Sequence, residues 1–131
     1  MHGNHCIRTW SSTQATRAVS SGEAEFYAIV EGGSRGIGLK ALGEDLGCKY
    51  KVTMYSDASA GRGMVFRKGA GRVRHLETKF FWIQDAVREG KFQLLKVKGK
   101  ENPADVGTKY LSLAESTGLL EGVGVMVRLR R

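Results

Sequence analysis

The chain has 131 residues, 41% of them apolar and 8% aromatic, and 21 Lys and Arg against 13 Asp and Glu leave it at +8. Such a chain is one domain by length, has enough apolar residues for an ordinary core, and its basic balance favours a polyanionic partner, most often nucleic acid. No apolar run approaches the ~20 residues of a bilayer crossing, so no membrane role is expected. The opening Met-His-Gly-Asn-His-Cys likewise lacks the apolar stretch of a signal peptide. Cys6 and Cys48 stand far apart without metal-ligand spacing, which points to a reducing, intracellular setting.

From His5 to Ser12 a loose alternation fits a short strand, and the polar run to Thr16 turns the chain. His2, His5 and Cys6 lack the fourth ligand that structural zinc requires. Ser20 followed by Glu23 reads as a capping box, with the Glu side chain returning to the cap's own N–H, so a helix starts here. Phe26, Ile29, Val30, Gly33, Ile37 and Ala41 form its buried stripe. Gly32, Gly33, Gly36, Gly38 and Gly43 each cost roughly 1 kcal/mol against Ala in a helix, so the helix bends or breaks unless it lies close against a sheet.

Gly47 ends that helix, and Lys51 to Ser56 reads as a strand. Asp57 lies just past its carboxyl end, where ligands bind in α/β sheets. Residues 58–74 are basic and glycine-rich, with Arg62, Arg67, Lys68, Arg72 and Arg74, and read as a short helix followed by a mobile loop. Leu76, Phe80, Ile83 and Val87 make an amphipathic helix ending before Gly90, and Phe92 to Lys98 is the next strand. Asn102-Pro103 reads as cap and first helical residue, with Asp105 in the first turn. A short helix covers Leu113 to Leu120, and the ending Arg128-Leu129-Arg130-Arg131 is either a phosphate contact or a solvated end. The alternation of strand and helix argues for an α/β layered domain.

Glu25, Asp57 and Asp105 carry the chemistry if they converge. Three neighbouring carboxylates repel one another unless divalent cations neutralise them, and hard oxygen ligands suit Mg²⁺ or Mn²⁺. Two such ions about 3.5–4 Å apart activate a water and stabilise the leaving oxygen in phosphodiester hydrolysis. Taken singly, each acid also has a plain structural role: Glu23 as cap partner, Asp105 as a first-turn charge, Asp57 as a strand terminator.

The segments Trp10-Ser11-Ser12, Ser20-Ser21-Gly22-Glu23-Ala24-Glu25-Phe26-Tyr27-Ala28, Tyr55-Ser56-Asp57, Arg74-His75-Leu76-Glu77-Thr78-Lys79 and Asn102-Pro103-Ala104-Asp105-Val106-Gly107-Thr108-Lys109 resemble, in the same order, the ribonuclease H domain ending copia-type retrotransposon polyproteins. The resemblance covers roughly residues 5–112 and implies a ribonuclease H-like fold, a mixed β-sheet flanked by helices. It implies cleavage of the RNA strand of an RNA–DNA hybrid with two Mg²⁺ (or Mn²⁺) ions. Glu25, Asp57 and Asp105 match the family's carboxylates in its first long helix, after its fourth strand and in its final helix. Glu25 rather than Glu23 directly precedes the bulky pair and alanine, Phe26-Tyr27-Ala28.

On the same resemblance Ser59, Arg72, Arg74, His75, Lys79 and Lys109 are expected to touch nucleic acid, although His75 is equally read as a helix-start histidine with a structural hydrogen bond. Upstream reverse transcriptase or integrase regions of the same polyprotein are the expected partners, in cytoplasm, virus-like particle or nucleus. Residues 1–22 hold no Asp or Glu, so the family's first strand, most of the second and the aspartate that bridges both metals are expected to be missing, Ala58 replaces a usual polar residue, and cleavage by this chain is expected to be impaired or absent unless upstream sequence or another chain supplies that strand. The expected organisation is a truncated domain over 1–112 and an extension over 113–131. The competing expectations are a degenerate, non-catalytic nucleic-acid binder and a basic interaction domain.

Overall fold

The computed structural model describes residues 3, 5–71 and 78–125. It divides into two compact units, Gln14–Lys96 on one hand and Met1–Thr13 with Val97–Arg131 on the other.

The unit Gln14–Lys96 is built on helix α1, Ser21–Asp45. Its start follows from the sequence: the Ser20 hydroxyl accepts the Glu23 N–H at 3.2 Å. The return bond differs from the expected one, because the Glu23 carboxylate accepts the Val19 N–H at 3.0 Å, one residue before the cap. Glu23 is only 3% exposed, and this bond satisfies a backbone donor there.

Despite its glycines α1 runs unbroken for 25 residues. The reason is close packing. A Cβ at Gly33 would stand 2.6 Å from Ile83 Cδ1, 3.3 Å from Phe92 Cζ and 3.5 Å from Met54 Cε, and one at Gly43 would collide with the Tyr50 ring. Burial of this face offsets the propensity lost at each glycine. Gly47, at φ +77°, terminates the helix in the left-handed conformation that glycine adopts freely.

Strand β1, Thr53–Ser56, pairs in parallel with β2, Gln93–Lys96, with Thr53 opposite Gln93 and Ser56 opposite Lys96. The sheet among the described residues has these two strands. Between them come α2, Ser59–Phe66, a 3-10 turn at Thr78–Phe80, and α3, Trp82–Arg88. Phe26, Val65, Ile83 and Phe92 are almost fully buried at the centre of the core, and Ile29, Val30, Ala86 and Leu94 surround them. The amphipathic helix expected from Leu76 is shorter than its pattern: Ile83 is buried and Phe80 and Val87 pack on the core, while Leu76 lies outside the described residues.

In the other unit Cys6 to Trp10 form no strand among the described residues. Cys6 donates its N–H to the Val123 carbonyl at 3.1 Å, but Ile7 stays 64% exposed, and an alternating segment without a ladder or a covered face gains too little to hold a strand. Asn102 accepts the Ala104 N–H at 3.2 Å and opens a 3-10 helix, Pro103–Gly107. Helix α4, Leu113–Glu121, begins with a full capping box between Ser112 and Glu115. The Ser112 hydroxyl and N–H bonds hold the Glu115 carboxyl below its usual pKa of 4.5. Among the described residues no helix is long and apolar enough to cross a membrane.

Candidate functional site

Two of the three candidate carboxylates meet the same helix start. Glu25 lies in the second turn of α1, one residue before buried Phe26, and is half-buried. Its Oε2 accepts the Gly61 N–H of α2 at 3.1 Å. Gly61 permits this because it has no side chain: an added Cβ would sit 2.8 Å from Glu25 Cβ, 2.9 Å from the Glu25 carbonyl carbon and 2.9 Å from the Phe26 nitrogen. The helices therefore cross with backbone almost in contact at Glu25 and Gly61.

Gly61 is in the first turn of α2, whose N–H groups lack intrahelical partners and attract negative charge. The N-cap Ala58 offers no side-chain acceptor, so the Glu25 carboxylate takes over part of the capping from another helix. Asp57 immediately precedes that cap at the carboxyl end of β1, half-buried, and the Ser56 hydroxyl accepts the Ala58 N–H at 3.2 Å to shape the turn. β1 thus leads into Asp57 at the start of its connection to α2, and α1 brings the Glu25 carboxylate to the first turn that follows. Glu25 Oε1 makes no hydrogen bond among the described residues. Glu23, bound to the Val19 N–H, serves the entry to α1.

Asp105 belongs to the other unit. It is 8% exposed, and its Oδ2 accepts the Lys109 ammonium at 2.8 Å, one helical turn on. Both line an open cleft of about 740 Å³ with Lys100, Glu101, Pro103 and Glu115. Within each unit, among the described residues, no three His, Cys, Asp or Glu side chains gather as a metal-holding group. The donors themselves are all carboxylate oxygens, the ligand type that fits Mg²⁺ or Mn²⁺.

Of the residues expected at nucleic acid, Ser59 is exposed at the first position of α2, and Lys109 is exposed and paired to Asp105. Lys79 falls in the 3-10 turn Thr78–Phe80, while Arg72, Arg74 and His75 lie outside the described residues.

Gln84 was not singled out by sequence and orders the basic segment. At 4% exposure, its Nε2 donates to the Met64 carbonyl at 2.8 Å and the Gly69 carbonyl at 3.1 Å, and its Oε1 accepts the Gly69 N–H at 2.9 Å. Arg67 adds a bond to the Ala70 carbonyl at 2.6 Å. Residues 67–70, expected as part of a mobile loop, are a turn pinned to α3. The available signal was position: Gln84 falls one turn after Phe80 on the apolar stripe, where a polar side chain needs buried partners.

No family model and no solved structure matches the chain. Over 109 residues, 79% of its length, the chain is 31% identical to the "Retrovirus-related Pol polyprotein from transposon TNT 1-94" of Nicotiana tabacum. It spans 8% of that relative's length. Similarity across most of the chain supports a retrotransposon Pol origin for it.

Proposed function

We propose that the chain is the ribonuclease H-type region of a retrotransposon Pol polyprotein, with a ribonuclease H-like fold, acting on the RNA strand of RNA–DNA hybrids. The observation that carries this reading is the Glu25–Gly61 bond, which fixes one carboxylate beside the β1–α2 connection that bears Asp57. The similarity to a Pol polyprotein supports the same reading.

Glu25 and Asp57 in the unit Gln14–Lys96, and Asp105 in the other unit, are the carboxylates this reading assigns to divalent cations. Bound there, Mg²⁺ or Mn²⁺ supplies an activated water and stabilises the leaving oxygen. The chain's own part is to present oxygen ligands from rigid elements: Glu25 is set by helix crossing, Asp57 by the strand end and the Ser56 turn. Lys109, which donates to Asp105 at 2.8 Å, is the cation this reading assigns to a backbone phosphate beside that carboxylate. The remaining regions of the polyprotein are the partners this reading calls for.

A second reading, a nucleic-acid binder without cleavage, is favoured by Asp105 itself, whose charge is already met by Lys109 at 2.8 Å. The two separate by incubating the chain with an end-labelled RNA–DNA hybrid in Mg²⁺ or Mn²⁺ beside Glu25→Gln. Cleavage that needs the cation and falls at least ~100-fold in Glu25→Gln supports the nuclease, since loss of a ligand removes metal affinity as well as position. Salt-sensitive binding without cleavage supports the binder, and absence of both sinks the two together.

A further inference from the structure

Helix α2 carries a surface feature that the carboxylates do not use. Arg62 and Phe66 stand one turn apart, and the Arg62 guanidinium lies over the Phe66 ring at 5.7 Å from its centroid. The ring nevertheless remains 57% exposed, although it is a large apolar group on an eight-residue helix whose other side, with Met64 and Val65, is buried. Arg62 Nε is buried without a hydrogen-bond partner, so the side chain is held by packing rather than by an acid. Among the described residues, Arg62, Arg67 and Lys68 pair with no carboxylate. The sequence from Ala58 to Leu76 contains Arg62, Arg67, Lys68, Arg72 and Arg74 and no Asp or Glu, in a chain of net charge +8.

We infer that the Arg62–Phe66 ridge of α2, with Lys68 beside it, binds a strand of nucleic acid with unpaired bases, a base stacking on Phe66 and the backbone phosphate meeting Arg62. This rests on the nucleic-acid reading above and names the surface that serves it. An exposed aromatic ring flanked by cations free of acids is what single strands use: every base has a π-face to stack, and every nucleotide brings a phosphate. A duplex offers only the phosphate, because its bases are stacked on one another. The Phe66 ring holds the Arg62 guanidinium in place before any ligand arrives, so less side-chain freedom is lost on binding. The pinning of residues 67–70 by Gln84 fixes the start of the Lys68 segment against the same helix.

The test is fluorescence anisotropy of a short labelled polyuridine, and of a blunt RNA–DNA hybrid, over a salt series with the full chain. Phe66→Ala weakens polyuridine binding about 5- to 100-fold with the salt slope unchanged, and weakens the hybrid far less, through the lost ordering of Arg62 alone. Arg62→Gln lowers the slope of log affinity on log salt by about 1 for both ligands. Phe66→Trp restores the single-strand affinity, which separates stacking from damage to the fold, and urea midpoints of all variants are compared with wild type. Wild-type affinity in both Phe66→Ala and Arg62→Gln overturns the inference, as does a wild-type chain that does not bind polyuridine. Equal competition by polyglutamate also overturns it, since the ridge would then read acidic protein. If Glu25→Gln abolishes cleavage while Phe66→Ala and Arg62→Gln bind normally, the nuclease stands and this surface does not.

Discussion

Replacing Gly61 by Ala tests whether the crossing of α1 and α2 builds the site. Two glycines of α2, Gly61 and Gly63, differ in one respect that matters: a Cβ at Gly63 meets nothing within 4 Å, whereas one at Gly61 comes within 2.9 Å of the Glu25 carbonyl carbon and the Phe26 nitrogen. Both substitutions gain roughly 1 kcal/mol of helix propensity. Gly63→Ala keeps that gain. Gly61→Ala must push α2 off α1, because backbone atoms cannot rotate away, and overpacking of this kind costs about 1–3 kcal/mol. The shared propensity cancels in the comparison, so Gly61→Ala is expected to be less stable than Gly63→Ala by about 1–3 kcal/mol. The displacement also loosens the bond from the Gly61 N–H to Glu25, so the loss in any cleavage exceeds the loss in stability. Urea unfolding at equal slope measures the stability difference. Equal midpoints for the two variants refute the close crossing and the positioning of Glu25 that depends on it.

Gln84→Leu strands the Gly69 N–H and the Met64 and Gly69 carbonyls, and unfolding stability should fall by about 1–3 kcal/mol. Trypsin should then cut after Arg67 and Lys68 faster than at its other sites, relative to wild type, under conditions where both chains stay folded; an unchanged ratio would show that Gln84 does not hold the turn. The third expectation concerns acid. The Ser112 bonds lower the folded pKa of Glu115 below 4.5, so its contribution is present above the unfolded value and is lost as the pH falls through the lowered folded value. Compared with Glu115→Gln, wild type should therefore show a helical advantage by circular dichroism that is constant at neutral pH and disappears below the ordinary carboxylate range. An advantage that persists in strong acid would contradict the capping box.

Local chemistry was legible from the chain alone. Ser20 marks the start of α1, Gly47 its end, Asn102-Pro103 the cap of a short helix, and alternation marks the cores of both strands, because each depends on residues a few positions apart. The resemblance motifs likewise pointed to a Pol polyprotein, and the similarity over 79% of the chain supports that origin. Sequence also set Glu23 to the entry of α1, though it placed the Glu23 return bond on Ser20 and not on Val19.

Tertiary structure decided what distant partners control. The glycines of α1 left a break or close packing open by propensity, and contact of Gly33 with Ile83 and Phe92 and of Gly43 with Tyr50 decides for the whole helix. Residues 5–12 had a strand's alternation, but among the described residues only an isolated bridge at His5 forms there. The bond between Glu25 and Gly61, 36 residues apart, has no local signature, because it exists only where two helices pack closely enough for one to cap the other. What the chain states by itself is which residues carry charge and where the capped helix α1 begins; which carboxylate faces which helix end is decided by packing, since only folding brings those groups within hydrogen-bond reach.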